Sequence, residues 1–544
     1  MIENPIIRGF NPDPSILRVG NNYYIATSTF EWLPAIRIYH SRDLKHWRLL
    51  SHALTGASQI ELRGIQPSKG IWAPCLSYSG DEKLFYIAFS FVRGIANNFF
   101  DVDNYVVTAE SIEGPWSEPV YLNSSGFDPS FFHDEDGRKW LVNLEWDFRM
   151  GYEHPGAIVL QEYSPLEKRL VGQIRRIYRG GTDMGCLEGP HIYKRNGRYY
   201  LMAAEGGTGY GHGVTVARSK NIAGPYEPDP ENPIITSAAV KFNERGDPDC
   251  WKPHYYNPDA YLQKSGHGSL VETHTGEFYI AHLCARPILP EMRCMLGRET
   301  AIQKVCWTDD GWLRLASGGN LAQRYIRQPR IPEQPFADEP CRDDFDLPEL
   351  NGDFSTLRIP LDASWASLSE RRGYLRMRGQ ESLFSTFNVS LVAKRIQAFN
   401  IQAETCVEFE PENFGQMAGL VCLYDHMNHY FLRIYYSESF KSRCLGLMTS
   451  DNGRRDEYKE HRVAVPGLDR IYLRVSIKDK GMRFYYSSDG NAWSAIGPVF
   501  DATRLSDEYC KYGEFTGAFV GLCVQDLHTR SKHADFDYFE YREI

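Results

Sequence analysis

Five times within about its first 290 residues the chain repeats one phrase: a small polar or charged cluster, an apolar strand, a Gly-containing turn and an aromatic-rich strand. The copies read DPSILRVGNNYYIA from Asp13, APCLSYSGDEKLFYIA from Ala73, DPSFFHDEDGRKWLVN from Asp128, EGPHIYKRNGRYYLMA from Glu188 and HGSLVETHTGEFYIAH from His267. Aligned on Asp13, Pro74, Asp128, Glu188 and His267, they bring Tyr24, Tyr86, Trp140, Tyr200 and Tyr279 about twelve residues later in every copy. Self-similar units of roughly 40 to 50 residues or more, each made of several short strands, are the pattern of a β-propeller. Equivalent positions of the blades then ring a central channel, so Asp13, Asp128 and Glu188 are expected to converge on one small site. Carboxylates gathered in this way suggest acid/base chemistry.

Composition narrows the partner. The balance of 60 basic against 70 acidic residues gives a net charge of -10, which repels phosphate backbones and anionic membranes over long range. Neither nucleic acid nor a membrane surface is expected, and an uncharged ligand is favoured. Aromatic residues reach 13%; aromatic faces beside carboxylates suit sugars, although core packing also accounts for most Tyr and Trp in a β protein. No run approaches the roughly 20 apolar residues of a membrane helix. The opening MIENPIIRGFNPDPS lacks the basic start and apolar stretch of a secretory signal. The twelve cysteines are scattered without CxxC pairs, and Cys186 and Cys284 read as small hydrophobes inside β segments, which argues against a disulfide framework. Together these features place the chain in the cytoplasm.

Strand patterns fill the chain to about residue 318, with hairpin turns at VGNN (19 to 22), DEDG (134 to 137) and RNGR (195 to 198). The acids of the second turn, Asp134, Glu135 and Asp136, are expected to be solvated. Residues 327 to 346 concentrate Pro and charge. Beyond them, segments such as TCVEFEP, AGLVCLYD, HYFLRIYYS, IYLRVSIK, MRFYYSSDG and AFVGLCVQ alternate like the strands of an antiparallel sandwich. The fold class is therefore all-β: a five-bladed β-propeller over residues 1 to 325, a linker over 326 to 342 and a β-sandwich over 343 to 544. One segment, 241 to 261, lengthens the last repeat spacing. It reads as a surface loop, of a composition that would also suit a wall at the channel mouth. The Gly-rich run EGGTGYGHG (205 to 213) lacks the Lys-Ser/Thr of a phosphate loop and reads as a close-approach loop.

The motifs GFNPDPSILR (9 to 18), STFEW (28 to 32), GIWAP (70 to 74), GFDPSFFHDEDG (126 to 137), CLEGPHIYK (186 to 194), GHGSLVET (266 to 273) and LGRETAIQKVCW (296 to 307) together resemble glycoside hydrolase family 43. More narrowly, the chain resembles the β-xylosidases of that family, and the likeness runs nearly end to end. The resemblance implies that Asp13 is the general base, Glu188 the general acid, and Asp128 the residue that tunes and orients the acid. A DP turn at a strand start is the alternative for Asp13 and Asp128. It further implies that Arg298 reaches the sugar hydroxyls, that Phe30, Trp72 and Trp146 wall the pocket, that Thr208 lines it and that His267 lies beneath it. Calcium at the channel centre near His267 is not favoured, because a single His without nearby ligands is weak evidence for a metal; no cofactor and no metal are expected. Phe515, in EFTGAFVG, matches a sandwich-domain phenylalanine that closes the pocket, with neighbouring Phe519 as the competing inward residue.

The resemblance implies an inverting, exo-acting xylan 1,4-β-xylosidase that releases xylose from the non-reducing ends of xylo-oligosaccharides. An α-L-arabinofuranosidase, or an enzyme with both activities, is the nearest alternative; a non-catalytic carbohydrate-binding propeller ranks below it because all three carboxylates are present. A protein-interaction propeller would carry WD or kelch signatures, which the chain lacks. Homo-oligomerisation is left open.

Overall fold

The computed structural model describes residues 1 to 56, 58 to 96, 98 to 152, 156 to 239 and 251 to 544. Residues 241 to 250 of the 241 to 261 segment singled out above lie outside them. Five four-stranded antiparallel blades follow one another in chain order, each built from consecutive strands except that Trp32–Leu33 intervenes in blade I. Blade I runs Ser15–Val19, Asn22–Thr27, Ala35–Ser41 and Arg48–Leu54; blade II runs Gly70–Ser79, Leu84–Ala96, Phe99–Ala109 and Val120–Asn123. Blade III is Ser130–His133, Lys139–Glu145, Ala157–Ser164 and Arg169–Tyr178; blade IV is Glu188–Arg195, Arg198–Glu205, Gly213–Ser219 and Glu227–Pro228, with Ile235–Thr236 added beside Gly213–Ser219. Blade V is Gln263–Glu272, Phe278–Ala285, Arg298–Trp307 and Leu313–Leu315.

A second strand of a blade is covered on both faces by its neighbours, so it reads as an apolar run, as in LFYIAFSFV, where every residue from Phe85 to Val92 is buried. The outermost strand of blade III, Arg169–Tyr178, meets solvent and is mostly exposed. The apolar clusters follow this arrangement, filling the seams between blades I and II, II to IV, IV and V, and V and I. The amino-terminal segment closes the ring without being swapped into a blade. Ile7 bridges Thr300 of blade V, Asn11 N donates to Arg298 O at 2.9 Å, and Ile2–Glu3 pairs with Tyr325–Ile326.

The repeated position differs by one residue from the alignment on charge. Positive φ recurs at Asp13 (55°), Ala73 (41°), Asp128 (56°), Gly189 (56°) and His267 (53°), each just before a Pro or Gly in or next to the inner strand of its blade. These five residues line one small axial cavity. Pro74 and Glu188 are therefore not the equivalents of Asp13; Ala73 and Gly189 are. Non-glycine residues held at positive φ cost of order 1–3 kcal/mol and concentrate at functional sites. Gly189 occupies the position because a Cβ there would sit 3.2 Å from the His267 ring. Glu188, one residue earlier, is the first residue of its strand.

Two further expectations are corrected. Asp134 is buried, paired with Lys194 Nζ at 2.7 Å and accepting from Tyr199 OH at 2.8 Å, because blade IV brings those residues over the turn; Glu135 and Asp136 are exposed. Cys186 is exposed in the loop before Glu188 and not inside a strand, whereas Cys284 is buried in Phe278–Ala285. All cysteines among the described residues are free.

Past residue 341 two sheets, of eight and nine strands, pack as a sandwich around one large apolar core. The nine-stranded sheet ends on a strand from the first domain: Trp32–Leu33 pairs with Ser355–Leu357, in register Leu33 to Thr356 and Trp32 to Leu357. Trp32 also stacks on Phe519, ring centroids 3.7 Å apart at 12°. Three buried arginines pin the same seam. Arg395 donates to Phe10 O at 2.8 Å, Arg358 to Ile65 O at 2.5 Å, and Arg37 pairs with Asp353 at 2.5 Å. Helices among the described residues are three single 3-10 turns, and no helix is long and apolar enough to cross a membrane.

Candidate active site

Asp13, at the turn before the inner strand of blade I, is fixed from two sides. Its Oδ2 accepts a 2.6 Å hydrogen bond from Ser28 Oγ, which itself accepts from Ala73 N at 2.7 Å, so one hydroxyl links the repeated turns of blades I and II. Its Oδ1 lies 3.7 Å from Arg298 Nη1 and 3.8 Å from His267 Nδ1. Burial holds His267 below its ordinary pKa, so the ring is neutral at pH 7.

Asp128 is buried at the equivalent turn of blade III. Its amide donates to Ser90 Oγ at 3.1 Å, and its Oδ2 accepts from Gly189 N at 2.9 Å. The Asp128 carboxyl is thereby held against the residue that follows Glu188. Burial first, then the negative charges of Glu188 and Asp13, push the Asp128 carboxyl well above the usual range. Burial and the charge of Asp13 push Glu188 up to about 7, opposed by Arg298 and Lys252. Like charges this close do not all ionise together. Near neutral pH the site therefore carries a proton on a carboxyl beside a carboxylate, the pairing that acid/base catalysis needs.

Arg298 opens the third strand of blade V and joins the two domains. Nη1 donates to Thr208 Oγ1 at 2.7 Å and Nη2 to the carbonyl of Phe515 at 3.0 Å, while its buried Nε has no acceptor among the described residues. Its guanidinium lies 4.9 Å from the ring centre of Phe515 and 5.9 Å from that of Phe30. Phe30 and Phe515 both pack on Trp72, at 5.7 and 6.4 Å, the latter edge-on. Phe519 turns instead into the seam between the domains, leaving Phe515 as the residue that faces the propeller. Trp146 stands one step further out, reaching Trp72 through Phe127 and Phe100.

Residues 2 to 313 match the model for glycosyl hydrolases family 43. The chain belongs to glycoside hydrolase family 43. Residues 342 to 542 match a β-xylosidase C-terminal concanavalin A-like domain, which accounts for the sandwich. Among family 43 relatives, the chain is 44% identical to a xylan 1,3-β-xylosidase of a Vibrio species, covering 100% of this chain and 99% of that one. It is also 44% identical to a xylosidase/arabinosidase 43B of Humicola insolens, covering 100% and 98%. The crystal structure of a xylan β-1,4-xylosidase from Bacillus halodurans C-125 superposes with a TM-score of 0.94 at 51% identity, covering 100% of both chains.

Three residues of this family 43 site escape reading from the sequence. Ser28 lies inside a motif that matched as a whole and gave no role to its hydroxyl. Trp251 and Lys252 belong to the lengthened segment. Trp251 packs on Phe515 at 5.7 Å, and Lys252 Nζ donates to Gly206 O at 3.2 Å. Their signal was a Trp-Lys pair beside Pro in a segment rich in Pro, Asp and aromatic residues, and the described end of that segment lies at the pocket wall. Among the described residues no group of three or more His, Cys, Asp or Glu side chains is arranged to hold a metal ion.

Proposed function

We propose that the chain is an exo-acting, inverting β-xylosidase that removes xylose from the non-reducing ends of xylo-oligosaccharides. The observation that carries this reading is the protonatable Glu188, raised to about 7 by burial and by the charge of Asp13, a carboxylate that Ser28 and Arg298 hold in place. Glu188 protonates the leaving oxygen while Asp13 takes the proton of the attacking water, and Asp128 orients the acid through the Gly189 amide. Phe515, Trp72 and Phe30 close the far wall, so only a chain end fits. Arg298, held by Thr208 and the Phe515 carbonyl, is placed to meet the sugar hydroxyls beside Asp13. The relatives carry both 1,3 and 1,4 linkages in their names; of these we propose the 1,4. The Humicola relative's name also favours a second reading, activity on α-L-arabinofuranosides, which relative rates on aryl xyloside and aryl arabinofuranoside separate.

Hydrolysis of xylobiose followed by NMR tests the proposal: α-xylose is the expected first product, and β-xylose formed first would contradict inversion. The pH profile offers a second test. An acid with a pKa of about 7 donates only while protonated, so kcat on xylobiose should fall as pH rises through about 7. Stability should move in the same direction. A carboxyl whose folded pKa exceeds its unfolded value of about 4.3 binds its proton more tightly when folded, so its contribution is full below that value and is lost as pH rises toward 7. Glu188→Gln should therefore lose less Tm than the parent between pH 5 and pH 8 in calorimetry; an identical slope would count against the shifted carboxyl.

A further inference from the structure

Beyond the pocket, on the same face of the propeller, lies a groove that the catalytic residues do not use. The inner strands of blades II and III leave the carboxylate end, so their partners Leu84–Ala96 and Lys139–Glu145 return to it and deliver Phe99 and Phe148 just past their ends. These rings stack at 4.5 Å and 27°, yet remain 55% and 49% exposed. With Phe100 and Trp146 they form the aromatic side of a groove of about 370 Å3. Its charged members are paired: Arg176 with Glu145 at 2.5 Å and Arg149 with Asp147 at 2.6 Å.

Two half-exposed stacked phenylalanines are costly to leave in water, and such a patch marks a binding surface. The paired rim presents hydrogen-bonding groups without a net field, which fits a neutral, hydroxyl-rich ligand rather than an anion. Aromatic contact is continuous from the pocket: Trp72 to Phe127 at 6.0 Å, Phe127 to Trp146 at 5.9 Å and Phe100 to Trp146 at 4.4 Å. We infer that this groove is an additional binding site for the reducing-end part of a longer xylo-oligosaccharide, with the Phe99–Phe148 stack as its outer platform. The inference rests on the β-xylosidase reading. It adds that affinity grows with chain length beyond the disaccharide, since the leaving part of the substrate is the part that projects from the pocket.

The test is steady-state kinetics on an aryl xyloside, xylobiose, xylotriose and xylotetraose, with the parent and with Phe99→Ala/Phe148→Ala. In the parent, KM should fall from xylobiose to xylotetraose. In the variant, KM for xylotetraose should rise roughly tenfold, with the aryl xyloside and xylobiose unchanged; Phe148→Tyr, which keeps the ring, should behave like the parent. A parent that cleaves xylobiose but shows one KM for all lengths overturns the groove and leaves the β-xylosidase reading standing. A parent inert on every xyloside overturns both. A variant whose mass by light scattering differs from the parent's also overturns the inference, because a second copy of the chain then covers the patch.

Discussion

Glu188→Ala is expected to lose about 10²–10⁴-fold in kcat on xylobiose while losing far less on an aryl xyloside with a good leaving group. Only the first substrate needs a proton on its departing oxygen. The difference follows from the position of Glu188 just before the turn that Asp128 fixes by its 2.9 Å bond from Gly189 N, and from the burial and like charge that keep its proton on near pH 7. Asp13→Ala should damage both substrates alike, because attack by water is common to them. The Ser28 hydroxyl, 2.6 Å from Asp13, suggests a milder companion: Ser28→Ala leaves the carboxylate in place but loosens it. Equal losses for Glu188→Ala and Asp13→Ala on both substrates would undo the assignment of roles.

Asp13 and Asp128 were legible because each heads a copy of the same backbone phrase, and a phrase repeated around a ring puts its members on one axis. Glu188 was found by its charge and not by its place in the repeat. The feature that repeats in the backbone is a positive-φ residue before Pro or Gly, and at blade IV that residue is Gly189, which makes room for His267. A longer side chain from one position earlier serves the same space, and alignment by residue type cannot distinguish the two. Asp134 misled in the opposite way. Its turn sequence says solvent, but Lys194 and Tyr199 cover it from a neighbouring blade sixty or more positions later in the chain. Ser28 and Trp251 were hidden for the same physical reason. A hydroxyl bridging two blades, or a ring resting on a residue of another domain, acquires its role only through contacts far apart in sequence. Likewise, no local pattern reveals that a two-residue strand, Trp32–Leu33, extends a sheet whose other members begin beyond residue 350.

That shared sheet sets the expectation for cutting the chain. A propeller ending near residue 325 would lose the partner strand of Trp32–Leu33, the ring of Phe519 stacked on Trp32, and the arginines Arg358 and Arg395 that satisfy carbonyls of Ile65 and Phe10. It would also expose Phe10, Phe30 and Trp32, now fully buried, at about 1.5–3 kcal/mol for each large apolar side chain returned to water. Such a fragment is expected to be insoluble or nearly inactive. Phe515→Ala separates the catalytic part of this dependence from the structural part. The ring is only partly buried, so the fold should survive its loss, while Arg298 loses the aromatic face it lies against and Trp72 its edge-on partner; under the proposed function, water and longer chains then gain entry to the pocket. kcat/KM on xylobiose should fall about 10- to 100-fold, corresponding to about 1.4–2.7 kcal/mol of transition-state stabilisation, with an unchanged circular dichroism spectrum. A soluble propeller fragment that cleaves xylobiose with the parent's kinetics would instead make the sandwich an accessory to a site complete without it.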